Sequence, residues 1–152
     1  MALFDVEMPE DFMSDLLGAE FDILAEEMLT ESAPIYKDSI QKSMKSSLIH
    51  EGESEMVESV KASKPKKCKN GAWIVSIGPT GTSKHVYVAK NGHGQRTKRT
   101  YPVSNILKAI WKEYGIAGRQ TARPWLQKAK NDAQQEIMDR MQEVYNKKVG
   151  AG

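Results

Sequence analysis

Cysteine is nearly missing from this chain, with Cys68 the sole example in 152 residues. One thiol cannot form an internal disulfide framework, and it fits a reducing compartment. No apolar run approaches the roughly 20 residues that a membrane-spanning helix requires, so no membrane partner is expected. The opening residues Met1-Ala2-Leu3-Phe4-Asp5 hold no basic region, and a secretory signal is not expected either. Aromatics make up only 7% of the chain. What remains is ordinary soluble composition, 39% hydrophobic and 28% charged, at a length suited to one domain.

Charge of one sign is missing from two long stretches, and this says more than the net charge of +2. Residues 1–36 hold no Lys or Arg, but carry Asp5, Glu7, Glu10, Asp11, Asp15, Glu20, Asp22, Glu26, Glu27 and Glu31. Between Glu58 and Glu113 there is no acid, while Lys61, Lys64, Lys66, Lys67, Lys69, Lys84, Lys90, Arg96, Lys98, Arg99, Lys108 and Lys112 accumulate. Opposed blocks of this kind favour head-to-tail contacts between copies, or separate docking of acidic and basic partners. Two solvated faces are the plainer explanation.

The chain divides into an acidic segment over 1–18, one domain over 19–149 and a fraying tail over 150–152. Pro9 opens a short helical stretch ending near Gly18. From Ala19, Phe21, Leu24 and Met28 predict a helix that Pro34 interrupts. Tyr36, Ile40, Met44 and Leu48 then recur at four-residue steps, so this region is two helices or one kinked helix. A short helical segment from Gly52 carries Met56, Val57 and Val60. Asn70-Gly71 is a hairpin signal. Residues 72–77 and 85–89 read as strands from their β-branched and aromatic content. Residues 78–83 read as a loop, and the basic 91–99 stretch as a second, mobile one that orders on docking. Pro102 is expected to open a helix through Ile106, Ile110 and Trp111.

Most chemistry can be set aside on spacing. Gly78-Pro79-Thr80-Gly81-Thr82-Ser83-Lys84 lacks the Gly-x-x-x-x-Gly-Lys-(Ser/Thr) pattern of a phosphate loop, and a strand is expected to follow where a helix is needed. His50, His85 and His93 show no paired ligand spacing, so no metal site is expected. Cys68 has no recognisable histidine partner for nucleophilic catalysis. The expectation is no enzyme, no cofactor and no metal. The basic middle, with Trp73, Tyr87 and Tyr101 near its cations, is the candidate for sequence-independent nucleic-acid binding over 61–99.

The densest local information is at Gly118-Arg119-Gln120-Thr121-Ala122-Arg123-Pro124-Trp125-Leu126, following Glu113-Tyr114-Gly115. A glycine-rich break and a short extended run lead to Pro124, which suits the first turn of a helix. That helix carries Trp125, Leu126, Ala129, Ala133, Ile137, Met141 and Val144 as an apolar stripe. Trp111, Tyr114, Gly115, Arg123, Pro124 and Trp125 are expected to anchor the corner. The three aromatics would be core, and the Arg123 guanidinium would pair with a carboxylate or with corner carbonyls.

These residues resemble the "gene product ten" family of tail-completion and head–tail joining proteins of long-tailed phages. Members commonly show a Glu-Tyr-Gly-Thr turn, a Pro-Ala-Arg-Pro-(Phe/Trp) junction and a final amphipathic helix. Gly52-Glu53-Ser54-Glu55-Met56-Val57-Glu58-Ser59-Val60-Lys61 is similar to its Thr-Gly-Glu-Leu-x-x-Ser-Ile segment. The likeness runs from about Ala33 to Val149. Ile116-Ala117 departs from the usual Thr-Ser, and Thr121 stands where proline is common.

With the pattern of elements, the resemblance implies an α+β fold, a small antiparallel sheet packed against N-terminal and C-terminal amphipathic helices. It implies a structural protein of the virion neck or tail, assembled in the bacterial host cytoplasm. Copies would form a ring, hexameric by resemblance, between the tail-tube protein and a head connector or stopper protein, with DNA passing only incidentally through the channel. Glu20, Glu26, Glu27, Lys66, Lys67, Lys84, Arg96, Lys98 and Arg99 are the expected oligomer and partner contacts.

Overall fold

Two long helices set the frame. In the computed structural model, which describes residues 19–48 and 53–150, α1 (Ala19–Ser46) lies antiparallel against α4 (Leu126–Gly150). Between them in the chain come α2 (Glu53–Glu58), β1 (Val60–Ala62), β2 (Lys66–Lys67), β3 (Trp73–Ile74), β4 (Ile77–Pro79), β5 (Thr82–Lys90), β6 (Arg96–Ser104) and α3 (Asn105–Tyr114). The fold is α+β. Its antiparallel pairing is spread over three two-stranded pieces: β1 with β4, β2 with β3, and β5 with β6. The expected helical stretch from Pro9 to Gly18, the start at Gly52, His50 and the final Ala151-Gly152 lie outside the described residues.

The α1–α4 seam follows the apolar spacing. Leu24, Met28, Tyr36, Ile40 and Met44 from α1 are buried with Ala129, Ala133, Ile137, Met141 and Val144 from α4. Small residues at 25, 33, 129 and 133 are also buried, which lets two helices approach closely. Ser39 and Ser43 of α1 donate hydroxyl hydrogen bonds to the carbonyls of Ala129 and Trp125, at 2.9 and 2.7 Å. Glu31–Arg140 and Glu27–Lys148 pairs close the exposed edges at 3.2 and 2.9 Å. Pro34 lies inside α1 and does not divide it. The backbone bond that proline cannot donate is outweighed by burial on either side of it.

Three sequence expectations are corrected here. The 72–77 segment is not one strand but β3 and β4 on different partners. The 78–83 loop shrinks to Thr80-Gly81, since β4 ends at Pro79 and β5 begins at Thr82. Pro102 opens no helix. It sits within β6, opposite Lys84, and α3 starts at Asn105. Proline is tolerated there because β6 is an edge strand, paired with β5 alone.

Candidate functional site

The β5–β6 hairpin is the feature that projects from the packed body. Its root is bolted down. Ser83 and Val103 are buried, and the Asn105 backbone N–H donates to the Gly81 carbonyl at 2.9 Å. The Asn105 side chain donates to the Thr80 carbonyl at 2.8 Å and meets the Ser83 hydroxyl. Lys108 drives its ammonium into the same spot, donating to Ser83 Oγ and to the Lys84 carbonyl, each at 2.6 Å. Burial lowers the Lys108 pKa, against the opposing pull of Glu55 and Glu53.

Beyond this root the strands leave the core. Val88 is 59% exposed, Tyr101 43% and Tyr87 38%, with the two tyrosines on one face of the hairpin and Val88 on the other. In antiparallel register His85 lies opposite Tyr101 and Tyr87 opposite Arg99. The rings of His85 and Tyr101 meet edge to face at 5.4 Å, those of Tyr87 and Tyr101 at 5.2 Å, and His85 meets Trp111 at 5.7 Å. Edge-to-face contacts at these separations favour a fixed array of rings. With Ile116, Arg119 and Gln120 from the turn after α3, these rings line an open groove of about 1000 Å³.

The far end of the hairpin is a tight turn, and the expected loop over 91–99 is shortened because β6 begins at Arg96. Asn91 Oδ1 accepts the backbone N–H groups of His93 and Gln95 at 3.1 and 2.8 Å, fixing a tight turn. Arg96, Lys98 and Arg99 stand in β6, paired with Lys90, Val88 and Tyr87. No acid of the described residues forms an ion pair with Lys84, Lys90, Arg96 or Arg99. The hairpin is therefore a cationic arm with an aromatic groove at its base.

The corner expected from the sequence forms by different contacts. Trp125 is 1% exposed, and its indole N–H donates to the Ala109 carbonyl at 3.0 Å. Its carbonyl accepts the Ala129 N–H, which makes Trp125 the residue before α4 and leaves Pro124 two residues before the first helical one, outside the first turn expected for it. The Glu113 carboxylate accepts the N–H groups of both Trp125 and Leu126 at 2.8 and 2.9 Å. An acid from one helix thus satisfies the otherwise open N–H groups of the next, where the helix dipole favours negative charge. Gly115 takes φ 77°, and a Cβ there would stand 2.7 Å from the Gln120 carbonyl oxygen. Only glycine fits. The Glu-Tyr-Gly turn and the Ala-Arg-Pro-Trp junction are two halves of one joint.

Three anchor assignments are overturned. Tyr114 is 76% exposed, because it ends α3 on the outer face. Arg123 is exposed and its side chain pairs with none of the described residues; its backbone N–H, donating to the Lys112 carbonyl at 2.7 Å, is what the corner uses. Trp111 is half-buried and belongs to the groove rather than the core.

Several expected contacts between copies are already made within one copy. Lys67 holds Asp22 at 2.8 Å, and the Trp73 indole donates to the same carboxylate at 3.0 Å. Glu27 pairs with Lys148, as above. Lys108 and Lys112, counted in the basic block, are buried. Lys112 pairs with Glu53 at 2.8 Å and donates to the Ser47 carbonyl at 3.0 Å. Glu20, Glu26, Lys66, Lys84, Arg96 and Arg99 remain exposed, as does Lys98. Sequence reasoning missed Glu113, Lys108, Lys112 and His85. Only the place of Glu113 beside the recognised turn could have pointed to one of them.

No His, Cys, Asp and Glu grouping among the described residues could hold a metal ion, and none of their helices is long and apolar enough to cross a membrane. The 78–84 stretch runs from strand to strand, with no helix after its glycines to receive a phosphate. Compared with protein-family models, with curated proteins and with solved structures, the chain has no match.

Proposed function

We propose that this chain is a structural subunit of a phage neck or tail, which forms a ring that completes the tail tube and joins it to the head connector. The observation that carries the reading is the Glu113 joint. The two motifs on which the resemblance to tail-completion proteins rests are separate in the sequence, yet the Glu113 carboxylate binds the backbone of Trp125 and Leu126, 12 and 13 residues on. The turn and the junction thus act as one joint that sets how α4 leaves α3. The cationic β5–β6 arm supports the same reading, since a rigid body with a projecting arm suits contact with a neighbouring ring or tube. The chain acts by geometry and has no catalytic role.

The test is removal of this chain from a producing phage. The expected outcome is unjoined heads with tails of unregulated length in negative stain, restored when the chain is supplied. Normal, infectious particles in its absence would contradict the proposal.

A second reading rests on the same arm. Arg99 beside Tyr87 and Tyr101, with Lys84, Lys90 and Arg96 on the other face of the hairpin, suits a phosphate backbone with stacked bases. Submicromolar binding to DNA or RNA that falls steeply with salt would favour it. Weak binding with ready self-assembly favours the first reading.

A further inference from the structure

We infer that the face of the β5–β6 hairpin opposite its tyrosines docks on the α1–α4 seam of a second copy of this chain. The inference deepens the assembly reading and rests on its self-association. Side chains alternate along a strand, so this face presents Lys84, Lys90, Arg96 and Lys98 around Val86 and Val88. The four cations and Val88 are exposed. Lys84, Lys90 and Arg96 have no carboxylate partner among the described residues. An open sheet face with an apolar strip between cations suits a partner with the inverse pattern.

The long helices carry that pattern. Asp132, Glu136, Asp139 and Glu143 recur at helical spacing, one exposed acidic stripe along α4. Across the seam, α1 brings Glu31 and Asp38 to the same side, with Pro34 and Ile35 between them. Together they line two adjoining hollows of about 610 Å³ each, which share Pro34, Ile35 and Glu136. Lys42 and Arg140 line them as well, but Arg140 is held by Glu31 and Glu143. Asp38, Asp132, Glu136 and Asp139 pair with no described base. Pro34 also has no N–H to offer the Thr30 carbonyl, and Thr30 lines the same seam.

Length agrees with charge. The hairpin face runs about 20 Å from Lys84 to Lys90 at roughly 3.3 Å per residue. The α4 stripe runs about 17 Å from Asp132 to Glu143 at roughly 1.5 Å per residue. Each surface has an apolar centre between charged rows, and the signs are opposite. A nucleic-acid backbone would use the cations but leave the valines unmatched, so a second copy is the better occupant. Within one copy the hairpin packs on α2 and α3 while α4 packs on α1, which leaves the contact to be made between copies. Two different patches then meet, the heterologous contact that closes into rings.

Charge reversal in the full-length protein tests this, read by sedimentation without nucleic acid. Lys90→Glu with Arg96→Glu, and separately Asp132→Lys with Glu136→Lys, should each weaken self-association about tenfold, because attraction becomes repulsion across the contact. All four positions are exposed, so thermal melting should stay put. Mixing the two variants restores complementary charge at every contact and should recover assembly. Lys61→Glu with Lys64→Glu, the same change of net charge elsewhere on the surface, should assemble as the unaltered protein does. Two reversals without effect, a mixture no better than its parts, or an equal loss in the Lys61 and Lys64 variant would overturn the inference. So would a hairpin variant that loses only binding to duplex DNA. An unaltered protein that stays monomeric at every concentration sinks self-assembly with this contact, whereas assembly indifferent to all the reversals sinks this contact alone.

Discussion

At the scale of single residues, the corner depends on an acid and a glycine more than on the proline that drew attention to it. Gly115 combines φ 77° with ψ −178°, a region open almost only to glycine, and a side chain would strike the Gln120 oxygen and the Ala122 nitrogen. Gly118 also has positive φ, at 68°, but nothing lies within 4 Å of the place its Cβ would take. Gly115→Ala should therefore cost about 3 kcal/mol or more, strain plus clash, and Gly118→Ala about 1–2 kcal/mol. Chemical denaturation of the two variants decides it, and equal losses would contradict the account. Trp125 was legible as a buried anchor because it begins an apolar stripe that continues through Val144. Tyr114 and Arg123 were not, since neither position belongs to a periodic pattern that fixes which way the side chain points.

At the scale of elements, α3 shows where pattern reading fails. Its buried face is Asn105, Lys108, Ala109 and Lys112, while Leu107 and Tyr114 face solvent. Apolar spacing points to the wrong side because the inward lysines answer to partners distant in sequence, Glu53 and Ser83. Breaking the buried Lys112–Glu53 pair leaves a charge without its partner. Glu53→Ala should cost about 3–5 kcal/mol, and the double variant Glu53→Leu with Lys112→Met should recover most of that loss. A double variant no more stable than Glu53→Ala, by urea unfolding, would argue against the pairing.

Strand β6 was missed for a related reason. A two-stranded arm buries neither face, so its basic residues gave no alternation and read as a loop, although Thr97, Thr100, Tyr101 and Val103 are strand formers. The Asn70-Gly71 hairpin was legible, because its signal is local. That hairpin docks on α1 through Asp22, whose pKa is lowered first by the Lys67 hydrogen bond and then by the Trp73 indole. A depressed carboxylate stabilises above its unfolded pKa, and the benefit fades as pH falls through the folded value. The Trp73 indole N–H resonance should therefore titrate with a midpoint below the ordinary 3.8. A midpoint at or above that value would break the link between Asp22 and the hairpin.

At the scale of the whole molecule, charge segregation in the sequence resolves into two uses. Part of it is spent internally, as Asp22–Lys67, Glu27–Lys148 and Glu31–Arg140, exposed pairs that solvent and salt screen. The remainder stays exposed, as Glu20 and Glu26 on α1 and as the cations of the β5–β6 arm. Copies joined by a heterologous contact add in one direction, and whether the chain of copies closes depends on the rotation between neighbours. The central claim, assembly into a ring, is tested most directly by electron-microscopic class averages of the purified full-length protein without nucleic acid, at low and at high salt. The account predicts closed rings of one rotational symmetry that thin out as salt screens the charged contacts between copies. Monomers at both salt concentrations, or open filaments that never close, would contradict it.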